Sequence, residues 1–241
     1  MDDHGRFVWH ELRVTDIERA GRFYGDLLGW TFTAGSTGPI IHADGTPIGG
    51  ISPTKPGIPP HWTPYIAVAD VDAAASAARA HGGIVTSGVP GDLPGVGRLA
   101  PILDADKAIF LVVRPLPGTP MSAPRSPAPG TFVWDRLRTP EPATAADFYR
   151  AVAGWNTALA PDGTAGVLTT GDGARVAEMV QTTQDRGWLP FVLVDSASAA
   201  RDHAVSLGAT AEAELTTTPD SGRFTVITDP EGATLALHEA P

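Results

Sequence analysis

The stretch FVWHELRV, residues 7–14, returns as FVWDRLRT at 132–139, 125 positions later. Aligning 7–32 with 132–157 gives ten identities in 26 ungapped positions, among them Trp9/Trp134, Arg13/Arg138, Tyr24/Tyr149 and Trp30/Trp155. The echo continues downstream. HWTPYIAV (61–68) answers GWLPFVLV (187–194), and GRLAPILDADKAIFLVV (97–113) answers GRFTVITDPEGATLALH (222–238). Shared order and near-constant spacing mean two copies of one module. Between them runs RPLPGTPMSAPRSPAPGT (114–131), whose six prolines mark an extended, semi-rigid linker. The expected division is therefore a first module over 1–114, a linker over 115–130 and a second module over 131–241.

Each copy reads as the same series of elements. Residues 7–14 alternate as a strand. A helix follows at about 16–28, with Ile17, Ala20, Tyr24, Leu27 and Leu28 on one face. Asp16 or Thr15 can cap its start, and Gly29 stands where it should stop. IIHADGTPIGGI reads as a hairpin with Asp44-Gly45 at the turn. A strand at 65–68 leads into a small-residue helix at 72–81, ended by Gly82-Gly83. Two last strands, 98–103 and 108–113, are joined by DADKA, for which the second copy has the better turn DPEGA. The class is α+β: helices cover one face of each sheet and leave the other free.

Composition removes several functions. With 241 residues and a hydrophobic fraction of 42%, the chain can bury an ordinary core. No apolar run is long enough to span a bilayer, and the polar start MDDHGRFVWH is unlike a secretory signal. No membrane association is expected, and the expected compartment is the cytoplasm. The absence of cysteine excludes disulfides, thiolate metal sites and cysteine nucleophiles. A net charge of −10, with no basic stripe, argues against a nucleic-acid partner. GDLPGVGR (91–98) precedes a strand rather than opening a helix, so it is no phosphate loop.

The strand, then DIERAGRFYGDLLGW, then a late DP-x-G turn into an apolar strand, resembles the vicinal oxygen chelate superfamily. This superfamily contains glyoxalase I, bleomycin-resistance proteins, fosfomycin-resistance enzymes and extradiol dioxygenases. WHEL/WDRL combined with FY…GW is most similar to the tandem actinobacterial branch typified by a culture-filtrate antigen. The resemblance covers nearly the whole chain. It implies two tandem βαβββ glyoxalase-like modules whose curved mixed sheets enclose a cleft. It also implies a divalent metal held by His and Glu/Gln from the first strand, the strand after the hairpin and the last strand. Those positions fall at Trp9, near Thr63 and at Leu111 in the first copy, and at Trp134, near Leu189 and at Ala236 in the second. None supplies an ordinary ligand for a hard or borderline ion, so no metal and no other cofactor is expected.

Strand alternation puts Val8, Leu12 and Val14 on the helix-packed face. Phe7, Trp9, Glu11 and Arg13 then face a ligand, as do Phe132, Trp134, Arg136 and Arg138 in the second copy. Trp9 and Trp134 read either as stacking walls or as filler for the lost metal site. Glu11 and Arg136 read either as a polar binding pair, with Glu11 a possible general base, or as a structural salt bridge. Arg13 and Arg138 suit an anion or a solvated strand end. His238 shares the ligand-side parity of the last strand. His42 and His10 read as structural, and His61 lies in a loop after PGIPP. The candidate ligand-binding residues are Trp9, Glu11, Arg13, Trp134, Arg136, Arg138 and His238; no catalytic residue is assigned.

The function expected from these residues is metal-independent binding of a small organic molecule, for example sequestration of a natural product or antibiotic. The alternative is a glyoxalase- or dioxygenase-like or cofactor-free enzyme using Glu11 or a histidine as acid/base. A duplicated fold kept for protein–protein contact is a third reading. A monomer and a homodimer are both compatible with the linker.

Overall fold

The computed structural model describes residues 3–123, 126–218 and 222–241. Pro124 and Arg125 of the expected linker lie outside the described residues. The first copy runs β1 (Phe7–Val14), α1 (Ile17–Leu28), β2 (Thr31–Ala34), β3 (Pro39–Ala43), β4 (Thr46–Pro53), β5 (His61–Ala67), α2 (Val71–Ala80), β6 (Ile84–Val85), β7 (Gly91–Leu93), β8 (Gly97–Leu103) and β9 (Ile109–Pro115). The second repeats it as β10 (Phe132–Thr139), α3 (Pro142–Ala153), β11 (Asn156–Leu159), β12 (Ala165–Thr169), β13 (Arg175–Gln181), β14 (Gly187–Leu193), α4 (Ala197–Ser206), β15 (Thr210–Ala211), β16 (Thr216–Thr218), β17 (Gly222–Thr228) and β18 (Thr234–Glu239).

Local chemistry sets the ends. Asp16 accepts from the Arg19 amide at the start of α1, and Gly29 closes it in the left-handed region at φ 67°. Asp70 caps α2 through the amides of Asp72 and Ala73. Asp44 and Gly45 both take positive φ at the β3–β4 turn, as a two-residue hairpin requires. The short strands β2, β6 and β7, and their counterparts, carry little alternation and were not expected from the sequence.

The two sheets are mixed, with β1/β4 and β5/β9 parallel. Their layout corrects the expectation of curved sheets enclosing a cleft. Each has nine strands, eight in an open path, β2-β3-β4-β1-β5-β9-β8-β6, and β7 beside β8, and the second copy repeats this order. Among the described residues the end strands do not pair with each other, so neither sheet curls round and closes. Closure needs a paired last edge, and the two-residue β6 and β15 cannot supply one.

The chain resolves into two compact units that cut across the repeat. One takes the chain up to Trp9, Thr63–Ala123 and Asp135–Trp188. The other takes His10–Trp62, the segment ending at Trp134, and Leu189 onward. Each unit thus joins the front of one copy to the back of the other. The first core gathers Ile66, Ala75, Ile102, Phe110 and Val112 with Phe148, Tyr149, Trp155 and Met179. The second gathers Leu12, Val14, Tyr24, Trp30, Ile41 and Trp62 with Val192, Ile227, Leu235 and Leu237.

These cores account for FY…GW and the late Asp turn. Tyr149 donates its hydroxyl to Asp104 at 3.0 Å and accepts from Trp188 Nε1 at 2.9 Å, while Trp155 Nε1 donates to the Gly5 carbonyl at 2.6 Å. In the other unit Tyr24 donates to Asp229 at 2.9 Å and accepts from Trp62 Nε1 at 3.3 Å, while Trp30 Nε1 donates to the Gly130 carbonyl at 2.7 Å. Each buried polar atom of these aromatic residues therefore finds a partner: the tyrosine hydroxyls reach an aspartate of the opposite copy, and the indoles donate to those hydroxyls or to a loop carbonyl. Burial is the main reason the Asp104 and Asp229 carboxyls lie above the usual aspartate range, with backbone amides and the tyrosine opposing it.

Candidate functional site

The face of interest is the one turned away from these cores. In the second unit, β14 alternates: Val192 enters the helix-packed core, whereas Leu189 and Phe191 join Phe224 and Ala236 on the opposite face. Trp134 packs against this patch, half-buried. His238 sits edge-on to Phe191, ring centroids 6.1 Å apart, and Phe191 lies 5.0 Å from Phe224. Trp134 and His238 are therefore brought to one aromatic patch. Edge-to-face contacts of this kind hold rings in fixed orientation.

Glu11 and Arg13 belong to the same unit, on one face of β1. Glu11 is buried and pairs in register with Gly50; Arg13 is half-buried and pairs with Ser52. The backbones come close here: a Cβ on neighbouring Gly49 would lie 2.3 Å from the His10 carbonyl oxygen. Arg13 also acts on His61. Burial first, and the Arg13 charge as a smaller cause, hold the His61 imidazole below its ordinary range.

The remaining candidates lie in the first unit. Trp9 is buried. Arg136 forms an ion pair with Glu178 on the adjacent strand, Nη2 to Oε1 at 2.7 Å, with a second contact from Nε at the same distance. Arg138 is half-buried beside Val180. Glu178 was not anticipated; its place in RVAEMV shows only that it alternates away from Ala177 and Met179. Phe7 and Phe132 correct the alternation argument. Phe7 lies in the first core, 5.6 Å from Trp155 and 5.4 Å from Trp188; Phe132 lies in the second, stacked on His10 at 4.0 Å. The chain passes from one core to the other at Trp9/His10, so strict parity cannot apply at the strand's start.

The donor set does not fit the metal that the fold family implies. The three positions hold Trp9, Thr63 and Leu111 in one unit and Trp134, Leu189 and Ala236 in the other, and all but Trp134 are buried. Indole, a lone threonine hydroxyl and hydrocarbon offer no coordination sphere. Among the described residues no three His, Asp or Glu side chains converge as a metal site. No helix among them is long and apolar enough to cross a membrane.

Comparison with known proteins agrees with this architecture. The glyoxalase-like domain family matches residues 131–238, and the bleomycin resistance protein-like N-terminal family matches 6–37. The chain belongs to the vicinal oxygen chelate superfamily of glyoxalase and bleomycin-resistance proteins. Within it, the chain falls in the tandem-module actinobacterial branch of CFP32. It is 30% identical over 249 residues to the "Putative glyoxylase CFP32" of Mycobacterium tuberculosis, covering 95% of this chain and 92% of that one. It is 30% identical over 264 residues to the anthracycline biosynthesis protein DnrV of Streptomyces peucetius, covering 98% and 93%. The Mn(II)-bound glyoxalase from Novosphingobium aromaticivorans shares the fold, with a TM-score of 0.68 and 16% identity over 99% of this chain and 83% of that one.

Proposed function

We propose that this protein binds a small, flat organic molecule without a metal, through the sheet face opposite its helices. The observation that carries the reading is the double loss of donors: both copies place non-coordinating side chains at all three ligand positions. Around those positions stand groups suited to organic recognition, namely indole and phenyl faces with a few charged atoms between them. Trp134 and His238, half-buried over the buried rings of Phe191 and Phe224, supply the aromatic groups. Arg13 and Glu11 supply charge in the same unit. A relative named for anthracycline biosynthesis makes a polycyclic aromatic natural product the first ligand class to try. Sequestration of such a molecule needs no turnover.

The test is titration with anthraquinone-type compounds, followed by tryptophan fluorescence. Saturable quenching at micromolar concentration, weakened tenfold or more by Trp134→Ala, is the expected result. Binding unaffected by Trp134→Ala would overturn the assignment of the aromatic patch. Glu11→Gln separates binder from enzyme: a binder loses affinity in proportion to lost contacts, whereas a general base loses turnover with binding kept.

A further inference from the structure

Three side chains in the second unit make a row that the second copy lacks. Ser52 on β4 and Arg13 on β1 are partners in parallel register, so their side chains leave the sheet on the same side. β5 lies on the other side of β1. His61 opens β5, on the face opposite core residue Trp62. Their neighbours Leu12, Ile51 and Trp62 all enter the helix-packed core, which places Ser52, Arg13 and His61 together on the opposite face.

Each member has unspent bonding capacity. Ser52 is 3% exposed, yet its hydroxyl has no hydrogen-bond partner among the described residues. A buried unsatisfied hydroxyl is costly and calls for a reason. Arg13, half-buried, makes no hydrogen bond or ion pair among the described residues. His61 directs Nδ1 at the Pro59 carbonyl 2.8 Å away, so Nδ1 carries the proton and Nε2 keeps a lone pair. The loop that holds it is pinned by Thr54 Oγ1 on the Ile58 carbonyl at 3.1 Å, and it carries the cation Lys55. At the corresponding places the second copy has Arg138, Val180 and Gly187. A row needed only for the fold would recur in both copies; this one is confined to the first.

We propose that Ser52, Arg13 and His61 form a subsite for an ionised oxygen group of the ligand, a carboxylate or phenolate, flanked by a ligand hydroxyl. Arg13 faces the anionic oxygens and Ser52 donates to one of them. The neighbouring hydroxyl donates to His61 Nε2. Glu11 lies two residues along the same face, so the anion sits at the Arg13 row and not beyond it. The inference rests on the small-molecule reading above and gives it a charge: the ligand is an aromatic hydroxy acid or an ionised phenol.

A matched pair tests it: 3-hydroxy-2-naphthoate against its neutral amide, both titrated by fluorescence. The naphthoate should bind at least tenfold more tightly. Arg13→Gln should abolish that preference, bringing the naphthoate's affinity down to that of the amide. Ser52→Ala should weaken the naphthoate several-fold with the melting temperature unchanged or raised, because it deletes an unsatisfied buried hydroxyl. A merely structural serine would instead lower the melting temperature and leave affinity alone. Equal binding of the two probes, or a preference that survives Arg13→Gln, overturns the subsite and leaves the aromatic-patch reading standing. Binding of neither probe overturns both.

Discussion

Replacing Tyr24 by phenylalanine should destabilise a unit built from the front of one copy and the back of the other. The ring is 0% exposed and its oxygen serves two partners, Asp229 Oδ2 at 2.9 Å and Trp62 Nε1 at 3.3 Å. Asp229 Oδ1 is already engaged by the amides of Glu231, Gly232 and Ala233, so Tyr24 is the hydrogen-bond partner of Oδ2. Phenylalanine keeps the packing and orphans both groups. One charge-assisted bond and one long indole bond together give a loss of about 3 kcal/mol, a large share of the roughly 5–15 kcal/mol typical of a domain. The pH dependence has a definite sign. Burial raises the Asp229 carboxyl above its ordinary, unfolded-chain range. Its contribution is therefore complete below the unfolded pKa and is lost as pH rises through the raised folded pKa. Removing the hydroxyl raises the carboxyl further, so the cost should be greater at pH 7 than at pH 4. Urea denaturation gives the magnitude, and amide exchange gives the place. Protection should fall in α1–β4 and also in β14–β18, but not in α2–β9 or α3. Loss confined to residues 7–114, or a change under about 0.5 kcal/mol, would refute the crossed-core reasoning.

Other expectations follow from the same contacts. Tyr149→Phe should mirror Tyr24→Phe in the first unit, loosening α3 together with β8 and β9, as seen by exchange. Asp229→Asn should flatten the decline of stability between pH 4 and pH 7, measured by urea midpoints, because it removes the raised carboxyl. Glu231→Ala should fray the start of α1, since Glu231, its side chain 5% exposed, binds Thr15 Oγ1, the Asp16 amide and Arg19 Nη1; a loss of about 1–2 kcal/mol is expected in thermal unfolding. Arg136→Ala should cost about 1–2 kcal/mol, and a double-mutant cycle with Glu178→Gln should recover a coupling of the same order.

Much of this was legible in the sequence because repetition makes fold signals redundant. The pair of FY…GW stretches identified a helix that must bury Tyr24 and Tyr149, and Asp44-Gly45 fixed a hairpin. The crossed units were not legible. Nothing in DADKA or DPEGA says that Asp104 meets Tyr149 and Asp229 meets Tyr24, because pairing between distant segments leaves no local pattern. The same holds for the sheet edges, where two- and three-residue strands have no period to read. At the site, alternation placed Glu11 and Arg13 on one face and failed at Phe7, where the strand changes core. Ser52 carried no signal at all. A serine before a proline reads as a turn, and only the register with Arg13 and the unanswered hydroxyl mark it.

The central claim is recognition without a metal, and one measurement bears on it most directly. Chelator-stripped protein is titrated calorimetrically with Mn(II), Ni(II), Zn(II) and Fe(II), with elemental analysis of the protein as purified. The donor set of Trp9, Thr63, Leu111, Trp134, Leu189 and Ala236 predicts no saturable binding and no stoichiometric metal. One equivalent bound at micromolar affinity or better would contradict it, and would turn the search for ligands to His10, His61 and His238.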